Sequence, residues 1–426
     1  SSSLSSVETT FINSEIIDIW EYYLENPIHL NDSNKLDEMK DLHLLSEREF
    51  QQIKTYCLSR KELISIYELQ GLGVEVSSLK RIKPFIKVAN NRGSKFKKSH
   101  RLFMGFKIET PYKKGYIERA FIGSPFKSHI RYQSHINTKW SIGLNWEKDI
   151  GEPLWYKKMD PNNLAINLIY TGEKQAKEII IGKYDISIGE GLLLGTKYRI
   201  NSPYFPNYSP TKTTKSCLSS KEYFYFQGTV FRWKIRSANI HLFASHKKLN
   251  GLTSIDKTGW YRTEEEITKR KTKPENLLGI SISKKTKTNK LSWSGIYYKS
   301  DFTDIHSKLF QSFFFSINHF NLEYSGEFAM ENLKRFACLK KLTASISNNS
   351  ILSIQYRNRK DSFFNEYRSD YSIFSNGYEK GILSSFLHYF SKKWQIKVTF
   401  DHFKANFVYF ANYNIASGRA FFSQIS

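Results

Sequence analysis

The chain has 426 residues, enough for two or three ordinary domains or for one large barrel plus a module. Its three cysteines, Cys57, Cys217 and Cys338, stand far apart with no CxxC or Cys/His spacing, which argues against a disulfide scaffold or a zinc site. No run of 18 apolar residues occurs, so a transmembrane helix is excluded, while 15% aromatic content and a net charge of +24 ask for another explanation.

Residues 1–90 read as helical. Phe11, Ile12, Ile16, Ile19, Trp20 and Tyr23 recur at helical spacing until Asn26-Pro27 stops the pattern. A second helix pattern begins near Asn34 with Leu36 and Met39. A third spans Ser46 to Leu58, where Ser46-Glu47-Arg48-Glu49 has the Ser-x-x-Glu form of a capping box. Ile64 to Leu69, a tight Gly71-Leu72-Gly73 turn and a short helix from about Ser77 to Ile82, ended by Pro84, complete the block. A basic linker, 91–98, follows. The opening Ser1–Ser6 stretch fits a mature protein whose export signal has been removed.

From Arg101 onward the period changes from 3.6 to 2. Leu102, Met104, Phe106 and Ile108 interleave with Arg101, Phe103, Gly105 and Lys107. Ile142, Leu144 and Trp146 alternate with Ser141, Asn145 and Glu147. Trp394, Ile396, Val398 and Phe400 alternate with Gln395, Lys397, Thr399 and Asp401. Similar segments, including 178–195, bring the total to about fifteen strands near the length a tilted strand needs to cross a bilayer. The polar face carries whole charges, Lys183 and Asp185 and again Lys397 and Asp401, as a wet lumen permits. The apolar face is nearly free of charge, as lipid contact demands. Tight connections such as Thr171-Gly172-Glu173 alternate with long ones, 197–221 and 254–275. The expected fold is mainly β: an antiparallel transmembrane β-barrel over 99–426, of 14–16 or more strands. The odd count and the Gln424-Ile425-Ser426 ending suggest further C-terminal strands beyond this chain. A soluble all-β carbohydrate-binding protein or enzyme is the alternative that alternation alone leaves open.

Charge is divided unequally. Residues 1–88 hold 10 Lys/Arg and 14 Asp/Glu, and the remaining 54 basic and 26 acidic residues lie in the strand-rich part. Because the surplus is spread along strands and loops, it is read as solvated lumen and loop surface rather than as a DNA footprint.

The block from Asn26 to Val88 resembles a tandem helix-hairpin-helix domain of the type found in competence DNA receptors. The resemblance is carried by Asn31, the Lys61–Leu69 segment, Gly71-Leu72-Gly73 and Leu79–Ile86. The strand-rich part resembles outer-membrane proteins of Bacteroidetes that bear this module at their N-terminus. The residues behind this are Gly123-Ser124-Pro125, Glu147 to Glu152, Gly182-Lys183-Tyr184 and Gly189-Glu190-Gly191-Leu192. The first resemblance implies a phosphate contact through the backbone of Gly71 and Gly73, with Lys80, Arg81 and Lys83 nearby. Two departures weaken it: Leu44-Leu45-Ser46 stands where the first hairpin's glycines are expected, and the block is acidic.

No catalytic or metal constellation emerges, and no cofactor is implied. His241 and His246 are assigned to lumen or interface. Asp185 with Glu190, or Glu147, Asp149 and Glu152, could line a lumen, with a paired-carboxylate hydrolase the remote version of that idea. Gly182, Gly189, Gly191 and Gly195 read as bends in a barrel wall. The expected function is therefore non-catalytic: a subunit of an outer-membrane assembly or transport complex. Its helical module would lie in the periplasm, and its partners would be outer-membrane lipid and envelope proteins. DNA binding or uptake is the less favoured alternative.

Overall fold

A computed structural model describes residues 20, 23–24, 27–32, 36–42, 44–45, 47–59, 63–88, 99–137, 139–155, 163–172, 177–195, 214–218, 223–286, 288–302, 307–347, 349–360, 363, 365, 367–370, 378–390, 394–409 and 412–425. Most of the expected first helix, Asn34, Ser46 and the 91–98 linker lie outside these residues.

The N-terminal part is held by one apolar cluster. Strand β1 (Ile28–His29) pairs in parallel with β2 (Ile86–Lys87), a contact the sequence pattern did not announce. Helix α1 (Glu47–Ser59) turns Phe50 and Ile53 inward at helical spacing. Leu36–Leu42 and Ile66–Leu72 form 3₁₀ turns instead of the expected α-helices. The second opens on a capping box unnoticed in the sequence. There the Ser65 hydroxyl accepts from the Tyr67 N–H, and the Glu68 carboxylate accepts from the Ser65 N–H. Helix α2 (Val76–Ile82) buries Leu79 and Ile82. Asn31 joins distant chain segments: its side chain accepts from the Leu63 N–H and donates to the Leu63 and Val88 carbonyls.

The rest is a closed antiparallel barrel, in agreement with the expected class. Its first strands are β3 (Ser99–Ile108), β4 (Phe126–His135), β5 (Trp140–Lys148), β6 (Leu164–Thr171), β7 (Glu178–Ile186) and β8 (Thr214–Ser216). Next come β9 (Phe226–Ile235), β10 (Ala238–Leu249), β11 (Lys273–Lys285), β12 (Asn289–Ser300), β13 (Lys308–His319) and β14 (Leu322–Glu331). The last are β15 (Arg335–Ser347), β16 (Ser350–Arg359), β17 (Glu379–Tyr389), β18 (Gln395–Tyr409) and β19 (Asn412–Ile425). Two short helices, α3 (Lys114–Ile117) and α4 (Glu264–Thr268), sit in connections.

The sheet closes with β19 beside β3, so the expectation that closing strands are missing is not needed for closure. Two strands go beyond the fifteen that alternation marks: β19, and β8, which is only three residues long. β7 pairs directly with β9 over Glu178–Tyr184, while β8 occupies the other edge of β7 beyond the point where β6 stops. Gly182 makes this departure feasible. Its φ is +121°, and a side chain there would overlap the Ile166 carbonyl.

The two ends of the barrel differ. Ser99 pairs with His135, so the chain enters the barrel at the end that carries the tight β4–β5, β9–β10, β11–β12 and β13–β14 turns. The longer connections, those that follow β3, β5, β7, β10 and β16, leave the wall at the other end.

Candidate functional site: the barrel interior

Burial is inverted relative to a water-soluble core. Leu102, Phe106, Ile166, Leu278, Trp293, Phe313 and Phe386 are exposed, while Ser294, Thr399, Asp401, Glu327 and Glu331 are buried. Register assigns the two sets to opposite faces. Trp293 pairs with Phe313 and Phe313 with Phe328 on the outside, whereas Ser294 pairs with Ser281 and Ser312 on the inside. Charges do occur on the outer face, among them Arg419 on β19 and Lys340 on β15. Lys340 is exposed between buried Leu339 and buried Lys341, directly opposite Gly326.

The interior is filled by the protein itself. After Ile186 the chain leaves the wall, and Ile188 and Leu192–Leu194 pack against inward residues of β9 to β15, among them Phe243, Leu277, Ile296, Phe310 and Leu339. A second piece, from the β16–β17 connection, meets the first. Gly195 N–H donates to the Tyr367 carbonyl (2.7 Å), Ser369 N–H to the Gly191 carbonyl (2.9 Å), and the Asn365 amide to the Leu193 carbonyl. This corrects the sequence reading of 178–195 as one strand and of Gly189, Gly191 and Gly195 as wall bends. Those glycines belong to the inward segment, and Leu192-Leu193-Leu194 is apolar because it packs in the buried apolar cluster inside the barrel.

Two polar locks hold this plug. On β14, one carboxylate oxygen of Glu327 accepts N–H bonds from Glu190 (2.7 Å) and Leu192 (3.2 Å). Gly189 (φ +54°) and Gly191 (φ +87°) bend the backbone into a nest that aims both donors at one acceptor. In return, the Ser325 hydroxyl donates to Glu190 (2.8 Å). On β11, Glu275 accepts from the Tyr367 hydroxyl (2.7 Å) and from Tyr298 (3.2 Å). Burial, with Glu275 beside it, pushes the Tyr367 phenol well above its ordinary pKa, so it stays a donor. Lys247 lies 3.8 Å from Glu275 and over the rings of Tyr223, Tyr225 and Tyr367, and it donates to the Tyr223 and Tyr225 carbonyls.

Of the charges expected in the lumen, Lys183 and Asp185 are buried beyond the Gly182 departure. Lys183 donates to the Asn163 side chain and lies over the Tyr225 ring at 4.3 Å. Asp401 is buried and receives a bidentate pair from Arg357 at 2.9 Å. Arg357 also donates to Glu379, which Arg359 approaches at 3.5 Å. Lys397 is half-buried on the same strand face as Asp401. Sequence reasoning missed Arg357, Glu379, Glu275 and Glu327, because pairing across strands leaves no short-range spacing to detect.

The loop motifs converge as well. Gly123 N–H donates to the Gly151 carbonyl, and Ile122 N–H to that of Arg262. Glu152 accepts from the Tyr261 N–H, and Glu147 and Asp149 share Lys127. These acids brace loops instead of forming a paired-carboxylate centre. His241 meets Thr214 inside, and His246 meets Asn276 on the exposed side. Among the described residues no group of three or more His, Cys, Asp or Glu is placed to hold a metal.

In the N-terminal part, Gly71 and Gly73 leave open space beside their Cα atoms, and Gly73 is left-handed (φ +86°). Lys80, Arg81 and Lys83 are exposed. Lys83 is engaged with Tyr67, to which it donates at 3.2 Å, and Arg81 with Ser78 at 3.0 Å.

No protein-family model and no curated protein matches the chain. Among solved structures, Pseudomonas aeruginosa OccK5 (OpdH) is similar at TM-score 0.40 and 13% identity, covering 77% of this chain and 85% of that one. Outer-membrane expressed OmpT of Vibrio cholerae is similar at 0.35 and 9%, covering 77% and 94%. Salmonella typhi OmpF, in complex with daunomycin, is similar at 0.36 and 10%, covering 77% and 96%.

Proposed function

We propose that this chain is an outer-membrane β-barrel without catalytic activity, closed by its own inward-folded segments, that serves as a subunit of an envelope transport or assembly complex. The observation that carries this reading is the inversion of burial: apolar side chains cover the outside, and serines and ion pairs line the inside. In water the exposed Leu, Ile and Phe band would cost roughly 25 cal/mol per Å² and drive aggregation. Against hydrocarbon it costs nothing, and a closed sheet leaves no unpaired backbone edge in the bilayer. With tight turns on the periplasmic side, as such barrels show, residues 1–90 enter from the periplasm, where they act as a helix-hairpin-helix-like interaction module. A Bacteroidetes host belongs to the same proposal.

The test is extraction. The full chain should sediment with outer membranes and enter solution only with detergent, and its mobility on a denaturing gel should change on boiling. Recovery of residues 96–426 as a soluble species without detergent would remove the membrane reading and favour the soluble all-β alternative. Exposure of the Gly71–Gly73 edge beside Lys80 keeps DNA binding as a second reading. Titration of labelled duplex DNA at two salt concentrations tests it, and the absence of salt-sensitive micromolar binding removes it.

A further inference from the structure

The outer face is not uniform around the barrel. On β15 to β19 the register lines up one row of outward side chains: Lys340 pairs with Tyr356, Tyr356 with Ile382, Ile382 with His402 and His402 with Arg419. The next row toward the long-loop end places Lys380 directly opposite Lys404. Lys380, His402, Lys404 and Arg419 are all exposed, and they lie on three consecutive strands. Toward the tight turns the same face is apolar, with Phe386, Phe400 and Phe421 exposed.

The carboxylates of these strands lie on the other side of the wall. The only Asp or Glu in β15 to β19 are Glu379 and Asp401, and both are buried inside with Arg357. Because strand faces alternate, neither reaches the outer side. Like charges directly across two strands destabilise the pair, and Lys380 and Lys404 stand in that arrangement.

Height decides which medium these cations meet. Lys404 lies nine residues beyond Gln395, the tight-turn end of β18, which is about 30 Å along the strand at ~3.3 Å per residue. With a tilt of about 35–45° this becomes about 21–24 Å along the barrel axis, the outer margin of an apolar band about 25 Å tall. Arg419, one row lower, reaches the same margin because a long basic side chain lays its stem on apolar surface and extends its head to the interface.

We infer that the outer face of β17 to β19, at the long-loop margin of the apolar band, is a binding site for a lipid with an anionic phosphate headgroup. Lys380, Lys404 and Arg419 supply charged N–H donors to the phosphate. The acyl chains lie on Phe386, Phe400 and Phe421 below it. A free anion uses only half of this surface. A second copy of the chain does not fit, because the same face would bring the same cations against these.

The inference rests on the membrane reading, and native mass spectrometry of the full chain in non-ionic detergent separates the two. Dioleoylphosphatidic acid, dioleoylphosphatidylcholine or inorganic phosphate is added in turn. Phosphatidic acid should stay bound as a one-to-one adduct under activation that strips phosphatidylcholine. A basic residue beside an anionic lipid surface is worth about fivefold, so K380Q/R419Q should bind phosphatidic acid about twenty-five-fold more weakly. K299Q, on β12, should match the parent, and R419Q alone, about fivefold weaker, is read if the double variant does not fold. Equal retention of both lipids, displacement of the lipid by inorganic phosphate, a dimer in place of an adduct, or unchanged binding in R419Q overturns the site while the barrel stands. A chain that stays monodisperse in water without detergent and takes up neither lipid removes the membrane reading and this inference with it.

Discussion

Replacing Glu327 by leucine tests how the interior is held shut. The carboxylate is the acceptor for two buried N–H groups, those of Glu190 and Leu192. A leucine orphans both, at about 1–3 kcal/mol each, so the lock weakens by about 2–6 kcal/mol. Against that stand four apolar side chains of the plug, Ile188 and Leu192–Leu194, each 0–2% exposed. At roughly 1.5–3 kcal/mol apiece they supply about 6–12 kcal/mol. The apolar term wins, so E327L should loosen the segment without ejecting it. A loss of about 3 kcal/mol raises the population of plug-displaced states more than a hundredfold, seen as brief large-conductance openings in planar bilayers. E327Q keeps an amide oxygen facing both donors and should stay close to the parent. A triple L192A/L193A/L194A variant should open for long periods. If E327L folds, as judged by its heat-modifiable mobility, and its record of openings matches the parent's, the nest around Glu327 does not hold the plug.

Two further perturbations probe other parts of the molecule. R357M leaves Glu379 and Asp401 buried without their shared cation, and removing one member of such a group costs about 3–5 kcal/mol; R357K restores charge but not the two-pronged contact with Asp401, and should recover only part. Urea titration followed by tryptophan emission checks this, and an unchanged midpoint in R357M refutes it. At α4, burial acts to raise the pKa of Glu266, but hydrogen bonds from Arg262 and Thr263 outweigh it and leave the group below its ordinary 4.5. A depressed folded value means that its stabilisation is complete above about pH 4.5 and disappears as pH falls through the folded value. Hydrogen exchange of the α4 amides, corrected for intrinsic rates, should accelerate in that acid window in the parent and already at neutral pH in E266Q. Equal protection at pH 3 and 6 in the parent would contradict the assignment.

The wall of the barrel was legible because its physics is local. A strand with one face outward and the other toward the barrel interior must alternate, and Leu102 to Ile108 or Trp394 to Asp401 show it directly. β19 escaped because Ala416-Ser417-Gly418-Arg419 breaks the alternation, and β8 because three residues carry no period. The inward segment is hard to tell from wall for a subtler reason: Ile179–Ile181 and Leu192–Leu194 look alike in sequence, yet one lies in the wall and the other in the buried apolar cluster inside, and hydrophobicity does not say which apolar surroundings are present. Lys340 is the reverse case, a charge on a face where alternation predicts none. The pairs that organise the interior, Glu275 with Tyr367 or Glu190 with Ser325, join residues 92 and 135 positions apart, beyond any spacing rule.

That separation bears on how the molecule is made. Asn365 reaches Leu193 across 172 positions, and Glu327 reaches Glu190 across 137. Neither contact exists until β14 and the β16–β17 connection are in place, and the cost of closing such long loops delays them. On the membrane reading proposed above, a newly inserted molecule would pass through a hollow stage, a cylinder with its bung not yet seated, and would leak until the final strands arrive.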